Sequence, residues 1–382
     1  MDSLTQILLG AAVGELVLGR KVGNKAILWG AIGGTIPDLD VLSKLFFDDL
    51  RANEVHRGVT HSVLFSLVLA PVFGQWVKRH QRSFLAVFAA LVALVFVSSA
   101  TSLPAQIAMG AVAVGIITLI LRKVKGATDE ATAKEWSWFF WWVLITHALL
   151  DCFTTWGTQL FWPLPLKVAF NNIFVVDPAY TVPLLICLVI VLFLDRTDPR
   201  RRWINGCGLI LSSAYMALTL ATKSIAHSRI QGSLVRQGLT YNATSTRPTP
   251  FNTILWTANV DRGDHYALGS YSLFDTRPEV EFVYIPRNRS LLGAWADHDK
   301  VQRLIQLSEG NFAIQLRNDT LLFCDLRFGQ MGEPTPEKPF VFSYALIPDG
   351  KDLHVIQMPS PKLDRQSVRR WMGEHCERIK GE

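Results

Sequence analysis

The chain has 382 residues, 49% of them hydrophobic and 18% charged, with a net charge of +6. Its apolar residues fall into long runs before roughly residue 223, which excludes a disordered chain and points to an integral membrane part followed by a soluble part. Many basic residues sit in short loops, Lys78-Arg79 to Arg82, Arg122 to Lys125 and Arg200-Arg201-Arg202. Clusters of that kind orient membrane proteins, so no nucleic-acid partner is expected. Cys152, Cys187, Cys207, Cys324 and Cys376 form no Cys-x-x-Cys pair, which excludes a thiolate zinc knuckle and a disulfide framework.

In chain order, the spacing predicts membrane-crossing segments over Leu4–Leu18, Ala26–Ile36, Val63–Val77, Phe84–Ala100, Ala105–Leu121, Trp136–Phe153, Tyr180–Leu194 and Trp203–Ala221. The expected fold is thus an all-α multipass helical bundle of about eight spans, the first two short for the roughly 20 apolar residues a bilayer requires. Met1-Asp2-Ser3 lacks the basic leader of a secretory signal, so the first helix is read as retained. Basic loops follow alternate helices, and the opposite ends, Ser98 to Gln106 and Trp156 to Pro178, carry few positive charges. That asymmetry places both termini outside the cytoplasm. After Lys223 the sequence becomes mixed polar with strand-like alternation in Phe312, Ile314 and Leu316, in Val280 to Tyr284 and in Thr320 to Arg327, broken at Pro248, Pro278 and Pro334. Helices are expected over Asp299–Leu307 and about Asp364–Glu377. The expected domains are a transmembrane part, 1–223, and a soluble α+β part, 224–382, on the extracytoplasmic side.

Ionisable residues inside the membrane-like half are costly unless paired, hydrated or metal-bound. His147 and Asp151, four apart on a helix, project from one face, which suits two ligands of one metal or a polar pair between helices. His56 and His61 flank a glycine-containing turn, where imidazoles could bind zinc, manganese or iron, while Thr60 and Ser62 could cap the next helix. Arg57 offers a planar donor fork for a phosphate or carboxylate; its alternative is pairing with Asp48, Asp49 or a lipid headgroup. Pro37 ends the second helix, so Asp38 and Asp40 can turn towards one cation, or cap the next helix. Gly30, Gly33 and Gly34 permit close helix approach. The expected centre takes Asp38, His61, His147 and Asp151 as metal ligands, with Asp40 and His56 as a further ligand, base or support and Arg57 holding a substrate anion. No nucleophile elbow, Walker loop or His-Glu-x-x-His run occurs, which leaves metal-assisted hydrolysis as the simplest enzymatic reading. In the tail, Asp325-Leu326-Arg327-Phe328-Gly329 reads as a salt-bridged turn closing a strand.

At Asp2-Ser3-Leu4-Thr5, Pro37-Asp38-Leu39-Asp40, His56-Arg57-Gly58 to Thr60-His61-Ser62 and His147 to Asp151, the chain resembles the bacterial inner-membrane metal-dependent hydrolase family of YdjM type, some members of which carry a LexA-binding designation. The likeness covers about residues 1 to 200. It implies a multipass inner-membrane protein with a divalent metal, zinc foremost, acting as a hydrolase. Relatives place a His beside the first-helix Thr, where this chain has Thr5-Gln6. A fainter similarity of the Pro-Asp and His-x-x-x-Asp elements to zinc-dependent phospholipase C proteins implies a phosphate-ester or lipid-associated substrate. The rival readings are a transporter using the same His and Asp groups and a non-catalytic membrane scaffold with an unidentified protein partner.

Overall fold

A computed structural model describes residues 1–100, 102–123, 131–330, 332, 334–359 and 364–381. Thr101, Val124 and Lys125, which figured in the loop-charge reading, lie outside the described residues. The chain divides into two compact units. One comprises residues 1–47, 55–170 and 175–216; the other comprises 48–54, 171–174 and 217–382.

The first unit is helical. Helix α1 (Ser3–Val22) is capped by Asp2, whose carboxylate accepts from the Thr5 amide, and it packs along α2 (Asn24–Thr35). Small residues allow the two backbones to touch: a Cβ on Gly10 would collide with the Gly30 carbonyl, and one on Gly34 would lie 2.5 Å from the Gln6 carbonyl. Pro37 starts a nine-residue 3₁₀ helix, Pro37–Leu45, that carries Asp38 and Asp40. A shorter 3₁₀ turn, Val59–His61, delivers His61 to Ser62, which caps α4 (Val63–Ser99) by accepting from the Phe65 amide. Next come α5 (Leu103–Lys123), α6 (Ala133–Asp151), α7 (Pro178–Leu192) and α8 (Pro199–Arg236). A capping box between Thr132 and Glu135 opens α6.

Among the described residues, three helices are long and apolar enough to cross a membrane, Val63–Ser99, Leu103–Arg122 and Pro199–Arg236. The expected count of about eight is not supported, for reasons visible in the other helices. Helix α1 ends in charged residues, α2 has 12 residues, α6 carries four tryptophans with His147 and Asp151, and α7 has 15 residues. Within α4 the two expected segments meet at His80, whose φ of −139° and ψ of 50° are non-helical. Ring centroids of Phe73 and Phe84 lie 5.5 Å apart and those of Trp76 and Phe84 5.1 Å. Eleven residues of straight helix would separate Phe73 from Phe84 by about 16 Å, so the chain folds back sharply at His80.

The second unit holds two four-stranded antiparallel sheets, each in sequential order: β1 (Ala243–Pro248), β2 (Leu255–Asp261), β3 (His265–Ser272) and β4 (Phe282–Pro286), then β5 (Phe312–Arg317), β6 (Thr320–Gln330), β7 (Phe340–Asp349) and β8 (Asp352–Gln357). Helix α8 runs 15 residues beyond the expected end at Ala221, because Ala226, Ile230 and Leu234 form a stripe buried against Trp256, Ala258 and Val260 of the first sheet. The expected domain boundary therefore falls inside a continuous helix. Tyr266, Leu268 and Ile285 pack against Ala313, Cys324, Leu326 and Phe340 to join the sheets. Helix α9 (Asp299–Leu307) matches its expected range, and α10 (Arg365–Ile379) is capped by Asp364. Val280 is buried ahead of its strand rather than in it, and Leu316 is exposed near the end of β5, where it pairs with Leu321. The Asp325–Arg327 pair lies within β6, at a register shift that Gly329 accommodates with φ +64°, rather than in a closing turn.

The second unit also contains α3 (Asp49–Val55) up to Glu54. Leu50 is buried in the core with Leu292, Val301, Leu304 and Phe323. Asn53 donates to the Tyr344 hydroxyl at 3.2 Å, and Arg303 grips Glu54 through two bonds of 2.7 and 2.8 Å.

Candidate metal centre

The 3₁₀ helix after Pro37, the turn before α4 and the last turn of α6 bring Asp38, His61, His147 and Asp151 together, although more than a hundred residues separate the first from the last. One ligand atom from each lies within 4.8 Å of the others. His61, His147 and Asp151 are buried, and the Asp38 side chain keeps 22% of its surface exposed, so this corner of the cluster meets solvent.

Hydrogen bonding fixes what each imidazole presents. His147 Nδ1 lies 2.7 Å from the Gly34 carbonyl oxygen, which can only accept, so Nδ1 carries the proton. His61 Nδ1 lies 3.0 Å from Thr60 Oγ1 and 3.5 Å from Asp40 Oδ2. Because the Thr60 hydroxyl donates to Asp40 at 3.4 Å, its lone pair is left to receive the His61 Nδ1–H. In the neutral tautomers that these bonds favour, both Nε2 atoms present lone pairs, and they face one another at 3.1 Å. His61 Nε2 is 3.4 Å from Asp38 Oδ1 and 3.3 Å from Asp151 Oδ2; His147 Nε2 is 3.5 and 3.7 Å from the same two oxygens. Four acceptor atoms converging without a hydrogen between them repel, unless a cation sits among them. Metal bonds of about 2.0–2.2 Å in tetrahedral array separate ligand atoms by roughly 3.3–3.6 Å, close to these distances. The cluster could hold a metal ion on both geometry and donor chemistry.

Surrounding groups hold the ligands in place. Gln6 Nε2 donates to Asp151 Oδ1 at 3.0 Å and to the His147 carbonyl at 3.3 Å, and the Met1 nitrogen also lies against Asp151 Oδ1. Arg57 Nε stands 3.1 Å from Asp151 Oδ2, and Arg57 Nη1 donates to Thr154 Oγ1 at 2.7 Å. Asp40 accepts from the Arg57 amide at 2.8 Å and pairs with His56 Nδ1 at 3.0 Å. For Arg57 this geometry requires φ +57°, a left-handed conformation that costs a residue with a Cβ free energy and is held by the surrounding bonds. Arg57 therefore turns inward to Asp151 and Thr154, not towards Asp48 or Asp49.

All seven residues singled out in the sequence lie in or beside this cluster. Asp38, His61, His147 and Asp151 form it, Asp40 touches His61, His56 touches Asp40, and Arg57 touches Asp151. Sequence reasoning missed Gln6 as a contact of Asp151, although a polar residue on a helix otherwise rich in small and apolar residues was a usable signal. It also missed Thr154 and the Gly34 carbonyl; a backbone acceptor leaves no trace in residue identity. Thr60, read as a helix cap, serves His61 instead.

No curated protein and no solved structure matches this chain at a significant level. The model of the YdjM inner membrane protein family matches residues 1–229, a stretch that contains every residue of the cluster, and the chain belongs to that family.

Proposed function

We propose that this inner-membrane protein is a metal-dependent hydrolase whose divalent ion is held by Asp38, His61, His147 and Asp151. The observation carrying this reading is the convergence of two imidazole lone pairs and two carboxylate oxygens, with both Nδ1 protons assigned to acceptors on the outside of the cluster. A divalent ion there supplies Lewis acidity that polarises a phosphoryl or carbonyl group and brings a water towards neutral pKa. His56, with a third of its side chain exposed and Nδ1 held by Asp40, is the group placed to take or return a proton at Nε2. Arg57 commits Nη1 to Thr154, while Nη2 has no bond among the described residues and is the donor available to a substrate oxygen. The substrate class that fits is a phosphate ester or an acylated, lipid-associated compound meeting the cluster at its exposed Asp38 corner. We place the site and the C-terminal domain on the extracytoplasmic side of a multipass protein.

Four protein ligands would complete a tetrahedral zinc shell, which favours a second reading in which zinc is structural and ties the segment after α2, the turn before α4 and α6 together. Catalysis then requires an ion of five or six ligands, such as manganese or iron, or an expanded zinc shell. The test is elemental analysis of detergent-purified protein and of His61→Ala and His147→Ala, followed by hydrolysis assays on aryl phosphomonoesters, phosphodiesters and carboxylic esters. Metal bound in wild type and lost in both variants, with His56→Ala retaining metal but losing about 10²–10⁴ in rate, supports the hydrolase. Bound zinc with no turnover supports the structural ion, and failure of wild type to bind any divalent metal overturns both.

A further inference from the structure

The C-terminal unit buries a charge that its own residues leave unanswered. Arg247, on β1, is 7% exposed, its Nε faces no acceptor, and no hydrogen bond or ion pair reaches its guanidinium among the described residues. Burying an unpaired guanidinium is strongly unfavourable, and a bound ion or water is one way a native structure answers it. Two residues earlier, on the same face of the strand, the Ser245 hydroxyl is also buried without a partner. That face looks towards the second sheet, because Asn259, opposite Ser245, donates to the Leu326 carbonyl at 2.6 Å. The charges around Arg247 are of both signs. Arg327 repels Arg247, and so does Lys223 of α8. Asp325 and Glu309 attract Arg247 only from a distance, since Arg327 holds both, through bonds of 2.7 and 2.8 Å. Burial and Arg327 together push the Arg247 guanidinium down to about 10.

We propose that Arg247 and Ser245 form a binding site for a small oxyanion, a phosphate or a carboxylate, between the two sheets of the C-terminal unit. The guanidinium fork matches two oxygens of either anion and the hydroxyl supplies a third donor. This site is independent of the metal centre and of the hydrolase reading.

The experiment titrates the full-length protein in detergent with inorganic phosphate and, separately, with acetate, at ionic strength matched by chloride, and reads the unfolding midpoint and the heat of binding. Wild type is expected to show saturable binding with a rise in midpoint, absent in Arg247→Met and weakened about tenfold or more in Ser245→Ala. Saturation by phosphate alone assigns a tetrahedral ligand, and saturation by acetate alone a carboxylate. A wild type that saturates with neither anion, or an Arg247→Met protein that responds as wild type does, overturns the proposal. Should Arg247→Met fail to fold, the wild-type titration and Ser245→Ala decide: an undiminished affinity in Ser245→Ala overturns the site as drawn.

Discussion

Replacing Asp40 by Asn tests the donor assignment on which the metal centre rests. Asp40 binds no ion in our reading; it accepts from the Thr60 hydroxyl, which in turn receives the His61 Nδ1–H and leaves Nε2 as the ligand atom. Losing such a support costs about 10- to 100-fold in metal affinity, or about 1.4–2.8 kcal/mol. The structure points to the lower end. Asp40 Oδ2 lies 3.5 Å from His61 Nδ1, beyond ordinary hydrogen-bond length, whereas Thr60 Oγ1 lies at 3.0 Å and carries the closer contact. Asn also preserves an acceptor for the Arg57 amide now held at 2.8 Å, so the loop should keep its path. We expect zinc affinity to fall about tenfold in Asp40→Asn, and by a similar factor in Thr60→Ala. The double variant should lose less than the sum, because both groups serve one nitrogen. Competition against a chromophoric chelator in detergent measures all three. Unchanged affinity in both single variants would place the proton on Nε2 and refute the lone-pair argument; complete loss in Asp40→Asn, matching His61→Ala, would make Asp40 a ligand.

Gly34→Ala should destabilise the helical unit by about 1–3 kcal/mol and weaken metal binding together, since the added methyl lies 2.5 Å from the Gln6 carbonyl and displaces the oxygen that holds His147; thermal unfolding with and without zinc reads both, and an unchanged midpoint counts against the close helix contact. Leu50→Ala, in a fully packed site, should cost the C-terminal unit about 2–5 kcal/mol in denaturant titration, and a loss under about 1 kcal/mol would remove α3 from that core. Burial alone would raise the pKa of Glu54, but hydrogen bonds from Arg303 and Arg51 outweigh it and hold the carboxyl below its ordinary 4.5. The stability it contributes is therefore present above that value and lost as pH falls through the folded-state pKa. Unfolding midpoints of wild type and Glu54→Gln should converge on acidification through that range, and parallel curves would show that the Arg303 pair contributes nothing.

Much of the metal centre was legible because its residues violate the composition around them. His147 and Asp151 stand out on a helix of tryptophan, phenylalanine and leucine, and Pro37 dates the end of α2 to within a residue of where it stops. What the sequence hid was the part carried by backbone and by shape, the Gly34 carbonyl and the contact of Gly10 with the Gly30 carbonyl that sets α1 on α2; the reversal at His80, by contrast, falls in the basic loop expected between the Val63–Val77 and Phe84–Ala100 segments. The count of about eight spans is not supported because several of the expected apolar runs form helices too short for a span, such as α2 with 12 residues and α7 with 15.

The placement of α3 was also beyond sequence reading, and it changes how the C-terminal half should be regarded. Residues 48–54 read as a loop between Asp40 and His56, yet Leu50, Asn53 and Glu54 belong to the core and polar contacts of the C-terminal unit. Residues 171–174 do the same after the loop that follows Asp151: Asn172 donates to Thr219 at 2.6 Å and Phe174 meets Phe251. The chain thus leaves the helical unit and returns to it on either side of the ligand-bearing segments. His56, Arg57 and His61 follow directly from an anchor whose stability is that of the C-terminal core. Of these two excursions, residues 48–54 lie in the chain between Asp38 and His61, two of the proposed ligands. Metal affinity should therefore register the integrity of the C-terminal core, and Leu50→Ala, which alters no atom of the metal cluster, is the substitution in which that dependence is read most cleanly.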